Sequence, residues 1–198
     1  MIFPFRRTVL ALLGGCGLLA GCASPPLHIY TLGIPVHSDT KSLQVSPQTT
    51  VVQVSRVVMP DYLDCQDIIT RQGEEIHRSP NSRWASRLSL GITDLITNEV
   101  AATASHDTLF TDQPLAKAAD MQIMIAISEF DVDVNGHAIL NAHWAIIPHD
   151  RNKPLLRNIV HLAANGPVHT DADTAALMRN LVVQLATQIA KSIPSNIR

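Results

Sequence analysis

The chain has 198 residues, of which 46% are hydrophobic, 16% charged and 4% aromatic, with a formal net charge of −2. That apolar content excludes an intrinsically disordered chain, and the length suits one domain with a sizeable core. The acidic balance and few aromatics argue against nucleic acid as a partner, which needs a basic footprint and usually stacking platforms.

Arg6 and Arg7 precede an apolar run from Thr8 to Leu19, which ends in Leu19-Ala20-Gly21-Cys22. At about 12 residues the run is too short for a bilayer span, which needs roughly 20. A basic flank, a short hydrophobic stretch and small residues before a cleavage point describe a secretory signal. Leu-Ala-Gly-Cys resembles the lipobox of bacterial lipoproteins, in which the cysteine is acylated and becomes the first residue. Leu13-Gly14-Gly15-Cys16 is a weaker alternative because its upstream apolar run is shorter. The expected division is a signal peptide over residues 1–21, a lipidated tether over 22–26 and a domain over 27–198.

Cleavage before Cys22 leaves 177 residues with 13 basic and 17 acidic side chains, a net charge of −4. Each buried acyl methylene adds about 0.8 kcal/mol of membrane affinity, so multiple acylation anchors the chain. Ala23-Ser24 lacks the aspartate that retains enteric lipoproteins in the inner membrane, so the outer membrane is the expected destination. Pro25-Pro26 stiffens the tether, and at about 3.5 Å per residue the next ordered segment starts within roughly 20 Å of the anchor. Cys65, the other cysteine of the mature chain, has no intrachain partner, so stability must come from the core.

Along the body, strands and helices alternate. Leu27 to Leu32 reads as a first strand and the β-branched run Val51 to Val58 as a buried one. Asp67–Arg71 and Glu75–Arg78 flank Gln72-Gly73-Glu74 as a hairpin. Pro80-Asn81-Ser82 predicts a helix start, and Trp84, Leu88, Ile92, Leu95, Ile96 and Val100 form a one-sided stripe that should end by Ser105. Thr108–Thr111 is a brief strand. Leu155 to Ala163 is another, followed by a helix capped at Thr170-Asp171-Ala172-Asp173. The stripe of that helix is Met178, Leu181, Val182, Leu185 and Ile189, with Pro194 as its stop.

Between these lies a long hairpin. Met121, Ile123, Ile125 and Ile127 alternate on odd positions, then Phe130, Val132 and Val134 on even ones. Asn135-Gly136 is a strong turn signal, and Ala138, Leu140, Ala142, Trp144 and Ile146 line the return strand. A two-residue turn would set Ile127 opposite Trp144 and Ile125 opposite Ile146, leaving Phe130, Val132 and Ile139 on the other face. Either a bulge near Ser128-Glu129 restores one face, or the tip projects and Phe130, Val132 and Ile139 meet another subunit or partner.

Catalytic signatures are weak. The chain has no Gly-x-Ser-x-Gly elbow, Walker loop, His-Glu-x-x-His or Cys-x-x-Cys. His137 and His143 share a strand face but lie about 20 Å apart along it, too far to chelate one ion. Asp61, Asp64 and Asp67 lack the central glycine and terminal glutamate of a calcium loop and read as a capped, solvated turn. No cofactor or metal site is expected, and Cys65 reads as a bystander thiol.

In combination, Val57-Val58-Met59-Pro60-Asp61-Tyr62-Leu63-Asp64, Ile68-Ile69-Thr70-Arg71, Arg83-Trp84-Ala85, Phe130-Asp131-Val132 and Ala142-His143-Trp144 resemble the PqiC/YmbA-type lipoproteins. These are auxiliary outer-membrane components that accompany MCE-domain lipid transport systems. The resemblance runs from about Leu27 to Ile193, and Cys65 departs from it where a basic residue is expected. It implies a single α/β domain, a mixed β-sheet with two main amphipathic helices packed on it. It also implies self-association into rings and contact with a periplasm-spanning MCE-domain protein. The expected function is a non-enzymatic docking adaptor, anchored to the outer membrane through Cys22 and facing the periplasm. The alternative is a monomeric periplasmic lipoprotein that binds a small ligand or lipid directly.

Overall fold

The computed structural model describes residues 25–32, 46–103, 107–113, 115 and 117–193. The signal segment, Cys22 and Pro194 lie outside the described residues. Among the described residues, eight strands and two helices run in the order β1 (His28–Tyr30), β2 (Thr50–Val54), β3 (Asp67–Gln72), β4 (Glu75–Trp84), α1 (Leu88–Ala101), β5 (Thr108–Thr111), β6 (Met121–Val132), β7 (His137–Pro148), β8 (Leu156–Asn165) and α2 (Asp171–Ser192). The strands form two mixed sheets rather than one, ordered β1-β4-β3 and β5-β2-β6-β7-β8. The fold is a single α/β domain with both helices packed on the sheets, and neither sheet closes into a barrel.

Local pattern explains α2 well. Thr170 Oγ1 accepts the Asp173 N–H at 3.2 Å, and Asp173 returns a carboxylate oxygen to the Thr170 N–H at 2.9 Å, a reciprocal capping box. Its stripe of Met178, Leu181, Val182, Leu185 and Ile189 is buried, as are Leu88, Ile92, Leu95, Ile96 and Val100 on α1.

Three boundaries differ from the sequence reading. The run Val51–Val58 is not one strand. After Val54 the Val57 N–H turns to the Thr93 hydroxyl of α1 at 3.0 Å, and Val58 then rejoins β6 as a single bridge to Ala126. Pro80-Asn81-Ser82 starts no helix but sits inside β4. Asp67 pairs with Arg83 and Ile69 with Arg78, so four β4 residues, Ser79 to Ser82, bulge opposite one β3 residue. That tolerates a proline without an N–H, and the Arg83 guanidinium closes the bulge by donating to the Ser79 and Ser82 carbonyls at 2.6 and 2.7 Å. Trp84 therefore ends a strand, and α1 begins at Leu88.

The hairpin resolves the displaced apolar face. Its turn has three residues, with the Gly136 N–H bonded to the Asp133 carbonyl at 3.1 Å and Gly136 at φ +83. The register shifts again between Ile127 and Glu129, where Ser128 bulges. Ile127 consequently faces Ala142, and Ile125 faces Trp144. The bulge turns Phe130 and Val132 onto the core face, where they are 0% and 1% exposed. The reading of these two side chains as an oligomer or partner contact is corrected: they hold the chain's own core. Ile139 faces Asp131 and Ala163 on the opposite, partly open side of the sheet.

Candidate functional site

Among the described residues no cleft gathers a catalytic constellation, so the functional surfaces are built from the segments that carry the sequence signature. The first is the junction between the two sheets and α1. Arg56 donates from Nε to the Ser89 hydroxyl at 3.0 Å and pairs with Asp64 at 3.2 Å, while Arg87 pairs with the same carboxylate at 3.1 Å. Burial opposes the charge on Asp64, but hydrogen bonds from Ser89 and the cations Arg87 and Arg56 outweigh it and hold the carboxyl below its ordinary 3.8. Asp67 pairs with Arg83 at 3.0 Å and also with Arg78. Asp64 and Asp67 are thus two ion-pair nodes, not a solvated turn.

Arg71 is the second anchor. Its guanidinium donates to Asp131 at 2.9 Å and to the Tyr62 hydroxyl at 3.2 Å, and its carbonyl accepts the Val134 N–H at 3.3 Å. This one residue ties β3 of the small sheet to the β6–β7 tip of the large sheet. Asp131 in turn helps raise the Tyr62 pKa, behind the larger effect of burial.

The open face of the five-stranded sheet is the third element. Both helices cover its other side. Cross-strand pairing sets Val58, Ala126, His143 and Ile159 in one exposed row, with Met124 beside it. Val58 and Ile159 are 64% and 62% exposed. β8 ends the sheet, and its ten-residue run Leu-Arg-Asn-Ile-Val-His-Leu-Ala-Ala-Asn carries no proline or lysine to blunt the edge. The histidines belong to this surface. His137 bonds Asn165 at 2.9 Å, and His143 stands between Ala126 and Ile159. Among the described residues, no group of three or more His, Cys, Asp or Glu is placed to hold a metal. Cys65 donates weakly to the Tyr62 carbonyl at 3.6 Å and is half-buried.

Pro25, Pro26 and His28 lie against the start of α2 and, with Val168 to Ala172, line a groove of about 630 Å³. The N-terminal segment therefore enters the fold beside Asp171, whose carboxylate accepts the Ser79 hydroxyl at 2.7 Å.

A model of the ABC-type transport auxiliary lipoprotein component family matches residues 30–190, nearly the whole described domain. The chain belongs to that family. This is the PqiC/YmbA type of lipoprotein that the signature segments resemble. No curated protein matches the chain. Among solved structures, a crystal structure described as an uncharacterized protein aligns with a TM-score of 0.69 at 15% identity, covering 86% of this chain and 100% of its own. A Xanthomonas campestris protein of family model DUF330 aligns with a TM-score of 0.60 at 16% identity, covering 81% and 91%. At such identities the likeness speaks for the fold alone. Within the family's fold, the Asp64 and Arg71 networks occupy the signature segments, so those segments are explained by architecture before chemistry.

Sequence reasoning missed both networks, because each joins residues far apart in the chain: Asp64 to Ser89, and Arg71 to Asp131. The cluster Asp61-Asp64-Asp67 beside Arg56 and Arg71 was the available signal, since carboxylates and guanidiniums interleaved around buried strands tend to pair.

Proposed function

We propose that the protein is a non-enzymatic adaptor, anchored to the outer membrane through acylated Cys22, that docks an MCE-type trans-envelope lipid transport system from the periplasmic side. Membership of the transport auxiliary lipoprotein family across residues 30–190 is the observation that carries this reading. The first described strand starts at His28, six residues after Cys22, so the domain would sit against the membrane face rather than on a stalk.

The mechanism is positional. The acyl chains fix the domain, the helix-covered side keeps it rigid, and the exposed sheet row with the β8 edge offers surface to a second copy or to the transport partner. Ile139 stands on this surface and is the remaining member of the expected contact set. Copies arranged head to tail would close into a ring below the outer membrane.

Intact mass of the membrane-extracted protein tests the anchor. The expected result is loss of residues 1–21 with added acyl mass, in outer-membrane fractions. An unmodified mass, or fractionation with the inner membrane, defeats the proposal.

A further inference from the structure

The first strand alternates between two surroundings. His28 and Tyr30 line the groove at the start of α2, together with Pro25 and Pro26. Tyr30 packs against the core, and Leu32 beyond it is 3% exposed. Leu27 and Ile29 take the other side, as the two-residue period of extended chain requires, and are 57% and 56% exposed. β1 is the outer strand of the three-stranded sheet, hydrogen-bonded along its β4 side. Its sequence His-Ile-Tyr has no lysine or proline to blunt the free edge. Two large aliphatic side chains therefore stand in the open where the tether enters the domain.

The tether identifies their cover. Leu27 comes five residues after Cys22 and Ile29 seven, so they lie within about 18 and 25 Å of that residue. Pro25 and Pro26, held in the groove, fix the side on which the chain leaves the domain. Acyl chains on Cys22 would hold it at the boundary of headgroups and hydrocarbon, a zone that apolar faces enter by about 5–10 Å. Two side chains are too little for a free protein partner, which needs on the order of 1,000 Å² of buried surface. A bilayer already joined to the chain needs far less, because the tether has removed most of the cost of bringing the two surfaces together.

Leu155 provides the contrast. It is 55% exposed, yet it precedes β8, whose ten residues lead toward the groove residues Val168 to Ala172. At about 3.3 Å per residue, Leu155 stands roughly 30 Å along that strand from its groove end. It has the same apolar exposure without the proximity to Cys22.

We propose that Leu27 and Ile29 form a membrane-contact patch, buried in the headgroup region of the leaflet that holds acylated Cys22. This placement rests on the acylation of Cys22 and adds an orientation to it. The β1 edge faces the bilayer, and the start of β8 stands clear of it.

The test uses the protein purified from membranes and reconstituted into vesicles of phosphatidylethanolamine and phosphatidylglycerol, with plain or brominated acyl chains. Bromine quenches tryptophan emission on close approach. Ile29→Trp and Leu155→Trp are each compared with the parent protein, in which Trp84 and Trp144 are both 3% exposed and supply a constant background. Both substitutions are at exposed positions, and an unchanged circular dichroism spectrum verifies the fold. Tryptophan has the same preference for an interface at either position, so the comparison isolates place. Brominated lipid should quench the added emission of Ile29→Trp and leave that of Leu155→Trp unquenched. Intact mass separates the two readings. A chain without acyl mass removes the anchor and, with it, the patch. An acylated chain in which Ile29→Trp is unquenched, or quenched no more than Leu155→Trp, overturns the patch and leaves the anchor standing. Emission from Ile29→Trp that is shielded from water but insensitive to bromine assigns these side chains to a protein partner or a second copy, and also overturns the proposal.

Discussion

Asp64 caps a helix that begins more than twenty residues downstream: its Oδ1 accepts the Ser89 N–H of α1 at 3.1 Å. Arg87, the residue at the helix's own N-cap position, makes no side-chain cap bond. The Asp64 carboxylate supplies that acceptor from the Met59–Asp64 turn and places a negative charge at the positive end of the helix. The signature segment thereby fixes α1 against both sheets.

Asp64→Ala should lower stability by about 1–2 kcal/mol, through loss of the cap and of the charge facing Arg56 and Arg87. The pH dependence has a definite sign. The folded-state pKa of Asp64 lies below 3.8, so the unfolded chain takes up the proton first on acidification. Its stabilisation is complete above that value and is lost as pH falls through the folded pKa. Urea titrations of the wild type and Asp64→Ala should differ at pH 7 and converge in this acid window.

The hairpin offers a sharper contrast. Val132→Asp places a charge in the core and should unfold the domain, and Phe130→Ala should cost about 3–5 kcal/mol as a large core truncation. Ile139→Asp and Ile159→Asp change the open sheet face and should leave the circular dichroism spectrum and melting temperature nearly unchanged. If that face joins copies, these two variants alone should reduce chemical cross-linking on membranes. A folded Val132→Asp protein would contradict the placement of the tip.

Gly136 is fixed by its neighbours. At φ +83 a side chain is strained, and a Cβ there would meet the Gly166 carbonyl oxygen at 1.9 Å, in the very backbone that bonds Gly136. Gly136→Ala should cost about 2 kcal/mol or more and loosen the join between the β6–β7 turn and the end of β8, visible as faster amide exchange at Gly166.

These elements separate what was legible in the sequence from what was not. The two helical stripes, the capping box at Thr170, and strands β5 to β8 are local patterns and can be read residue by residue. The start of α1 could not be, because its cap comes from Asp64 and the nearer Pro80-Asn81-Ser82 mimics a start signal while lying in a bulged strand. The hairpin register slipped because Asn135-Gly136 fits two turn lengths, and only the second irregularity at Ser128 returns Phe130 and Val132 to the core. The parallel pairing of β1 with β4, and the Arg71 link to Asp131, join positions more than fifty residues apart, which no periodicity encodes.

An adaptor should tolerate loss of its reactive side chains but not of its core. Cys65→Ala, at a thiol away from the open sheet face, should leave complementation of an envelope-stress phenotype intact. Trp144→Ala, removing a core side chain 3% exposed, should lower stability by about 3–5 kcal/mol and impair function through the fold. A Cys65 change that abolished function in a folded protein would point to chemistry instead.

The central claim is that the acylated chain docks an MCE-type transport system at the outer membrane. Cross-linking in native membranes, followed by purification of the chain and mass spectrometry, tests it most directly. The account predicts recovery of an MCE-domain protein with the acylated chain from outer-membrane fractions, and its loss with Cys22→Ala, which releases the domain from the membrane. Efficient cross-linking that captures no MCE-domain protein, or capture that persists undiminished with Cys22→Ala, would contradict it.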